Sequence, residues 1–178
     1  MKKVLTVLFA LIVIFGLIPN ASSQVTETTT AGARILTPLT IVEDLAMHFG
    51  TMGVQAGTGG TCVVSTDGVR SATDGVTLSA LAPLFSLATY TVTGEPLFTY
   101  AITLPSSITV THTNTSNSMT INSLLAKSTS GSESHSATGT LLVGTGTESF
   151  TVGGTLNVDA GQLSGTYSGT FDTTVAYN

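Results

Sequence analysis

The residues able to do chemistry are few: three histidines, one cysteine and ten carboxylates in 178 residues. His48, His112 and His135 stand far apart, and none has a second His, Cys or carboxylate at metal-ligand spacing. His48 falls on the phase opposite Met47 and Phe49 and is expected to face solvent. His112 closes a strand-like run, and His135 lies in a polar stretch. Serines are plentiful, but no Gly-x-Ser-x-Gly elbow exists; in Gly165-Thr-Tyr-Ser-Gly169 the serine comes one place too late. Glu43 and Asp44 are adjacent and would point to opposite faces of a strand, so they cannot be the converging acids of a glycosidase. The other acids fall mostly at turns, where solvation explains them. Gly57-Thr-Gly-Gly60 lacks the Lys-Ser/Thr of a phosphate loop and reads as a turn. Asp67-Gly68 and Asp74-Gly75 read as hairpin turns, because acids are too sparse around them for calcium. No catalytic residue, metal ligand or cofactor is indicated, and the chain is not expected to be an enzyme.

The elements that would position such residues are set by export and by period-two patterning. Lys2 and Lys3 precede an apolar run from Val4 to Ile18, with small residues at Ala21 and Ser23, which predicts a signal peptide over residues 1–23. This fifteen-residue run, apolar apart from Thr6 and Gly16, falls short of the ~20 residues that span a bilayer. The mature chain is therefore expected in the periplasm, on the cell surface or outside the cell, without stable membrane insertion. Beyond the signal, Arg34, Arg70 and Lys127 face ten acids, a net charge of −7. Three scattered cations cannot neutralise a phosphate backbone, which argues against nucleic acid. Charged residues are 8% of the chain, so its polar surface must come from Ser, Thr, Asn and Gly. Cys62 has no partner for an internal disulfide and sits in a strand-like run, where it reads as a small core hydrophobe.

Residues 24–30 have little to bury and are expected to be mobile. Residues 31–178 should form one all-β domain, an antiparallel immunoglobulin- or pilin-like sandwich of roughly eight to ten strands separated by Gly, Pro, Asn and Asp. An alternation starts at Ala31, Ala33 and Ile35 and resumes at Leu39 and Ile41, interrupted by Pro38. Residues 127–136 contain no apolar side chain and are expected to be an exposed, flexible loop, the place for a ligand if this is a binding module for a glycan or surface protein. The final fourteen residues are the most regular in the chain: Gly165, Tyr167, Gly169, Phe171, Thr173, Val175 and Tyr177 occupy one phase and small polar residues most of the other. They predict a closing strand that must find a partner in its own sheet or in another molecule.

The series Pro38-Leu-Thr-Ile, Leu45 to Gly50, Gly60-Thr-Cys-Val-Val-Ser, Val92-Thr-Gly-Glu-Pro, Tyr100-Ala-Ile-Thr-Leu-Pro105, Val152-Gly-Gly-Thr-Leu156 and Gly165-Thr-Tyr-Ser-Gly-Thr-Phe171 resembles the bacterial family known as domain of unknown function 4402. The resemblance implies an exported β-sandwich without established activity and offers no catalytic residues. Met47-His48-Phe49-Gly50 departs from the family's more usual Asn-Phe-Gly ending, and Cys62 is atypical. The closing residues are also similar to the carboxy-terminal motif of chaperone–usher pilins, with a penultimate aromatic, Tyr177, and a glycine fourteenth from the end, Gly165. That similarity implies strand addition between subunits, with Gly165, Tyr167, Gly169, Phe171, Val175 and Tyr177 as the assembly strand. Ala31, Ala33, Ile35, Leu39 and Ile41 would then be the donor, or an edge strand of the same molecule. The expected role is a fimbrial-type structural protein whose partners are copies of itself or other surface subunits. Unlike many such pilins, the chain lacks a cysteine pair.

Overall fold

The structure is a computed structural model and describes residues 23–178, so the predicted signal peptide lies, but for its last residue, outside the described residues. The chain divides into two units, Met1–Arg34 and Ile35–Asn178. Of the first, residues 23–34 are exposed and form neither helix nor strand. The second is all-β. Its strands are Thr40–Leu45 (β1), His48–Phe49 (β2), Met52–Val54 (β3), Gly60–Val64 (β4), Arg70–Ala72 (β5), Val76–Leu78 (β6), Phe85–Ser86 (β7), Ala88–Thr93 (β8), Thr99–Thr103 (β9), Ser107–His112 (β10), Ser118–Ser128 (β11), Thr138–Thr140 (β12), Thr147–Val158 (β13), Tyr167–Ser168 (β14) and Thr174–Tyr177 (β15). These fifteen exceed the eight to ten expected because several runs break into two- or three-residue pieces at Gly, Pro and bulges. No helix among the described residues is long and apolar enough to cross a membrane.

β13 is the spine of the large antiparallel sheet. Along one side it pairs β11; along the other its first half pairs β8 and its second half pairs β4. β1 extends the sheet beyond β8, while β10 and β14 extend it beyond β11. Where β13 changes neighbours lie Gly153 and Gly154, and β11 bulges opposite them between Asn122 and Leu125. Ser123 takes up that bulge at a positive φ of 51°. A Cβ on Gly153 would stand 2.4 Å from the Val64 carbonyl oxygen, so only glycine lets β4 approach there. A second sheet of order β12-β9-β15 completes the fold, together with two small ladders, β2-β7 and β3-β6, that contact β4 and β5.

The inward phases of both sheets meet in one core that includes Val92, Phe150 and Val152 from the large sheet and Tyr100 and Ile102 from β9. Tyr90 and Phe150 stack at 4.9 Å between ring centroids. Cys62 is fully buried in that core, as its setting implied. The Asp67-Gly68 turn closes β4 onto β5, with Ser65 N–H donating to the Val69 carbonyl at 2.9 Å.

Two expectations need correction. The alternation from Ala31 does not make an edge strand of its own sheet: β1 begins only at Thr40 and pairs β8 in the same molecule, while Ala31, Ala33 and Ile35 are exposed coil. Pro38 cannot donate a ladder bond, and Ala31, Gly32 and Ala33 have little to bury. The closing stretch is not one strand but two. β14 pairs β10 in the large sheet, and β15 pairs β9 in the small one. The chain crosses between layers over residues 169–173; at the start of that stretch a Cβ on Gly169 would stand 2.4 Å from the Thr109 carbonyl oxygen of β10.

Candidate functional site

The predicted assembly residues keep their inward phase through that crossing. Tyr167, Phe171, Val175 and Tyr177 are half-buried, whereas Gly165 and Gly169 are exposed. Gly165 lies against the ring of His112, which packs edge-on to Tyr167 at 5.1 Å. Among the described residues β15 is the outer strand of its sheet, with β9 on one side and no strand on the other. Tyr100 and Ile102 on β9 are fully buried, so burial falls abruptly from β9 to β15.

Of the predicted donor residues, Leu39 and Ile41 are half-buried against the core and only Ile41 belongs to a strand. The two ends of the domain meet through a small polar cluster instead of a ladder. The Tyr177 hydroxyl donates to the Thr37 carbonyl at 2.7 Å and accepts the Glu95 N–H at 2.6 Å. The Glu95 carboxyl group accepts both the Thr37 hydroxyl, at 2.8 Å, and the Thr37 N–H, at 3.2 Å. Gly94 gives the phenol room, since a Cβ there would stand 2.4 Å from the Tyr177 hydroxyl oxygen. The penultimate aromatic therefore fixes the root of the segment that precedes β1.

The polar run at residues 127–136 is pinned down, contrary to its expected flexibility. Lys127 and Ser128 end β11, and Ser128 donates from its buried hydroxyl to the Thr138 carbonyl at 2.8 Å. Ser134 forms a bridge with Ala126, His135 Nδ1 lies 3.0 Å from the Leu124 carbonyl oxygen, and Thr66 donates to Glu133. Glu148 explains the remainder. It was expected to be a solvated acid, but it is 3% exposed at the start of β13, and one carboxyl oxygen accepts the Ser130 N–H at 2.7 Å. Its other oxygen and the Tyr100 hydroxyl are buried together beside Gly139, and neither makes a hydrogen bond within normal geometric limits. Burial first, and then the Glu148 charge, push the Tyr100 phenol well above the ordinary tyrosine range.

Beside this run the outer face of the large sheet forms an open groove of about 510 Å³. Lys127, Thr151 and Thr89 stand opposite one another across β11, β13 and β8, and Ser149 and Thr91 form the next row. Lys127 Nζ closes one end on Asp67 at 2.6 Å. The hydrogen bond to Asp67, and then the charge of Asp67, hold the ammonium above its ordinary range in an ion pair open to solvent. At the other end Asp44, in the β1 bulge, takes the Thr91 hydroxyl at 2.8 Å.

The histidines do not converge. His48 is exposed and accepts the Gly50 N–H at 2.7 Å, while His112 is buried between the Asn114 N–H and the Ser164 carbonyl. Among the described residues no group of three or more His, Cys, Asp or Glu could hold a metal ion. Arg70 has a structural setting: its guanidinium donates to the Ser79 and Thr51 carbonyls and lies 5.9 Å from the Phe85 ring centroid. Neither the buried Glu148 nor the groove was legible as such, because their partners lie across strands remote in sequence.

No curated protein and no solved structure matches the chain. A family model described as Domain of unknown function (DUF4402) matches residues 39–177, from the root of β1 to the penultimate tyrosine. The match takes in both sheets and all fifteen strands, and the chain belongs to the DUF4402 family.

Proposed function

We propose that this domain is an exported, non-enzymatic structural subunit of the cell surface that joins copies of itself, or other surface subunits, by strand addition at β15. The observation that carries this reading is the state of that edge. β15 is open on one side, it has no charged residue, and its inward residues Val175 and Tyr177 are only half-buried. An added strand would satisfy its unpaired backbone groups and finish covering those side chains. The edge of β1, by contrast, carries Glu43 and Asp44, charges of the kind that discourage edge pairing. The added strand is the segment before Thr37 of a neighbouring copy, in which Ala31, Ala33 and Ile35 alternate without belonging to a strand. The similarity of the last fourteen residues to pilin carboxy-terminal motifs points the same way.

The test is the assembly state of the mature protein at high concentration, followed by sedimentation, unheated gel electrophoresis and electron microscopy. Ladders or filaments are expected, and deletion of residues 24–36 should abolish them while leaving a folded monomer by circular dichroism. A monodisperse monomer at every concentration, or assembly unaffected by the deletion, would refute strand addition.

A further inference from the structure

The groove beside Lys127 points to a second role that stands independently of strand addition. We infer that it is a binding site for an extended neutral glycan. The first argument is geometric. Strand neighbours stand ~4.8 Å apart and same-face residues along a strand ~6.8 Å apart, so the rows through Thr89, Thr151 and Lys127 and through Thr91 and Ser149 form a two-dimensional array of polar groups. The strand spacing is close to the advance of one sugar along an extended chain, which lets successive sugars meet equivalent groups on successive strands. The space of about 510 Å³ above the rows lies within the ~300–1,000 Å³ typical of small-molecule sites.

The second argument is chemical. Thr151 spends its hydroxyl proton on the Thr66 carbonyl at 2.9 Å and Thr91 on Asp44, so both leave lone pairs facing outward. Thr89 and Ser149 have hydroxyls not engaged by the protein among the described residues. Lys127 uses one N–H on Asp67, whose second oxygen remains an acceptor, as does that of Asp44. Donors and acceptors are thus interleaved, which suits ligand hydroxyls that both give and accept. Two aspartates, with Glu133 close behind, against one lysine make the groove net negative, which selects against acidic polysaccharides. Threonine methyl groups supply the apolar contact for sugar C–H faces.

Isotope-labelled mature protein titrated with cellohexaose and mannohexaose, with hexagalacturonate as the acidic control, tests this by nuclear magnetic resonance. Amides of Thr89, Lys127, Ser149 and Thr151 are expected to shift with at least one neutral hexasaccharide and not with hexagalacturonate. Combining Thr89→Val with Ser149→Ala should weaken that binding about tenfold. If the pair of substitutions disturbs folding, Lys127→Met, at an exposed end of the groove, replaces it with the same expectation. No shift at these positions with either neutral sugar, preference for hexagalacturonate, or affinity unchanged by the substitutions would overturn the assignment. Deleting residues 24–36 should leave the titration unchanged, so failure of strand addition and failure of this site are read separately.

Discussion

Gly139→Ala should be among the most damaging single-methyl additions to this domain. In β12 the glycine opposes Tyr100 in the ladder with β9. A Cβ there would stand 2.3 Å from Glu148 Oε2 and 2.5 Å from both Cζ and Oη of Tyr100. Favourable heavy-atom contacts begin near ~3.5 Å, so each neighbour would have to retreat by about 1 Å. Neither is free to do so: Tyr100 is fully buried, and Glu148 is held by the Ser130 N–H. The remaining way out is for β12 to lift from β9. Overpacking of a closed site costs ~1–3 kcal/mol, and each ladder hydrogen bond weakened adds about 1 kcal/mol, so about 3 kcal/mol is expected in all. For a domain of this size that lowers Tm by roughly 6–12 °C. Urea titration and calorimetry would measure it, with Gly53→Ala as comparator, since a Cβ at Gly53 meets nothing within 4 Å. A loss below ~1 kcal/mol for Gly139→Ala would show that the packing of Glu148 and Tyr100 around β12 has been misread.

Other outcomes follow from the same core. Burial pushes both Tyr90 and Tyr100 up, so their phenols ionise more readily in the unfolded chain. Stability from this source is present below about pH 10 and lost as pH rises beyond it; Tyr100→Phe should flatten that decline in the urea midpoint measured from neutral to strongly alkaline pH. Burial likewise raises the Cys62 thiol, so iodoacetamide should label it only under denaturing conditions, and rapid native labelling would contradict its place in the core. Leu97 is held at a φ of 68° and is 66% exposed, and Leu97→Gly should raise stability by about 1 kcal/mol in thermal unfolding. Tyr177→Phe removes the two hydrogen bonds that the phenol makes in the terminal cluster; a loss of ~1–2 kcal/mol and faster amide exchange at Glu95 are expected.

What could be read from the residues alone follows from where each pattern's cause lies. The inward phase of the closing residues was legible because alternation is a property of the local backbone, and it holds at Tyr167 and again from Phe171 to Tyr177, with Gly169 exposed between them. The division into β14 and β15 was not, because alternation continues through Gly169 while the partner strand changes from β10 to β9. The reading of Cys62 as core also needed only its neighbours. The polar run at 127–136 misled because its composition suits solvent, and its restraint comes from Glu148, Thr66 and Thr138 across the fold. A glutamate between threonine and serine carries no local mark of burial. Ala31, Ala33 and Ile35 show the converse, a strand-like alternation that forms no strand.

The way β13 serves two neighbours end to end has a bearing on when the fold can form. β4 and β8 lie in the first half of the domain, yet both wait for it, Cys62 for Leu156 and Ala88 for Val152. A chain emerging from its amino terminus can close the β1-β8 and β4-β5 ladders early, but these stay separate until the last central strand arrives. Such long-range pairing is slow, because the cost of closing large loops precedes the contacts that reward it. The large sheet is therefore joined late and nearly all at once, and a chain that stops before Thr147 has hairpins but no core.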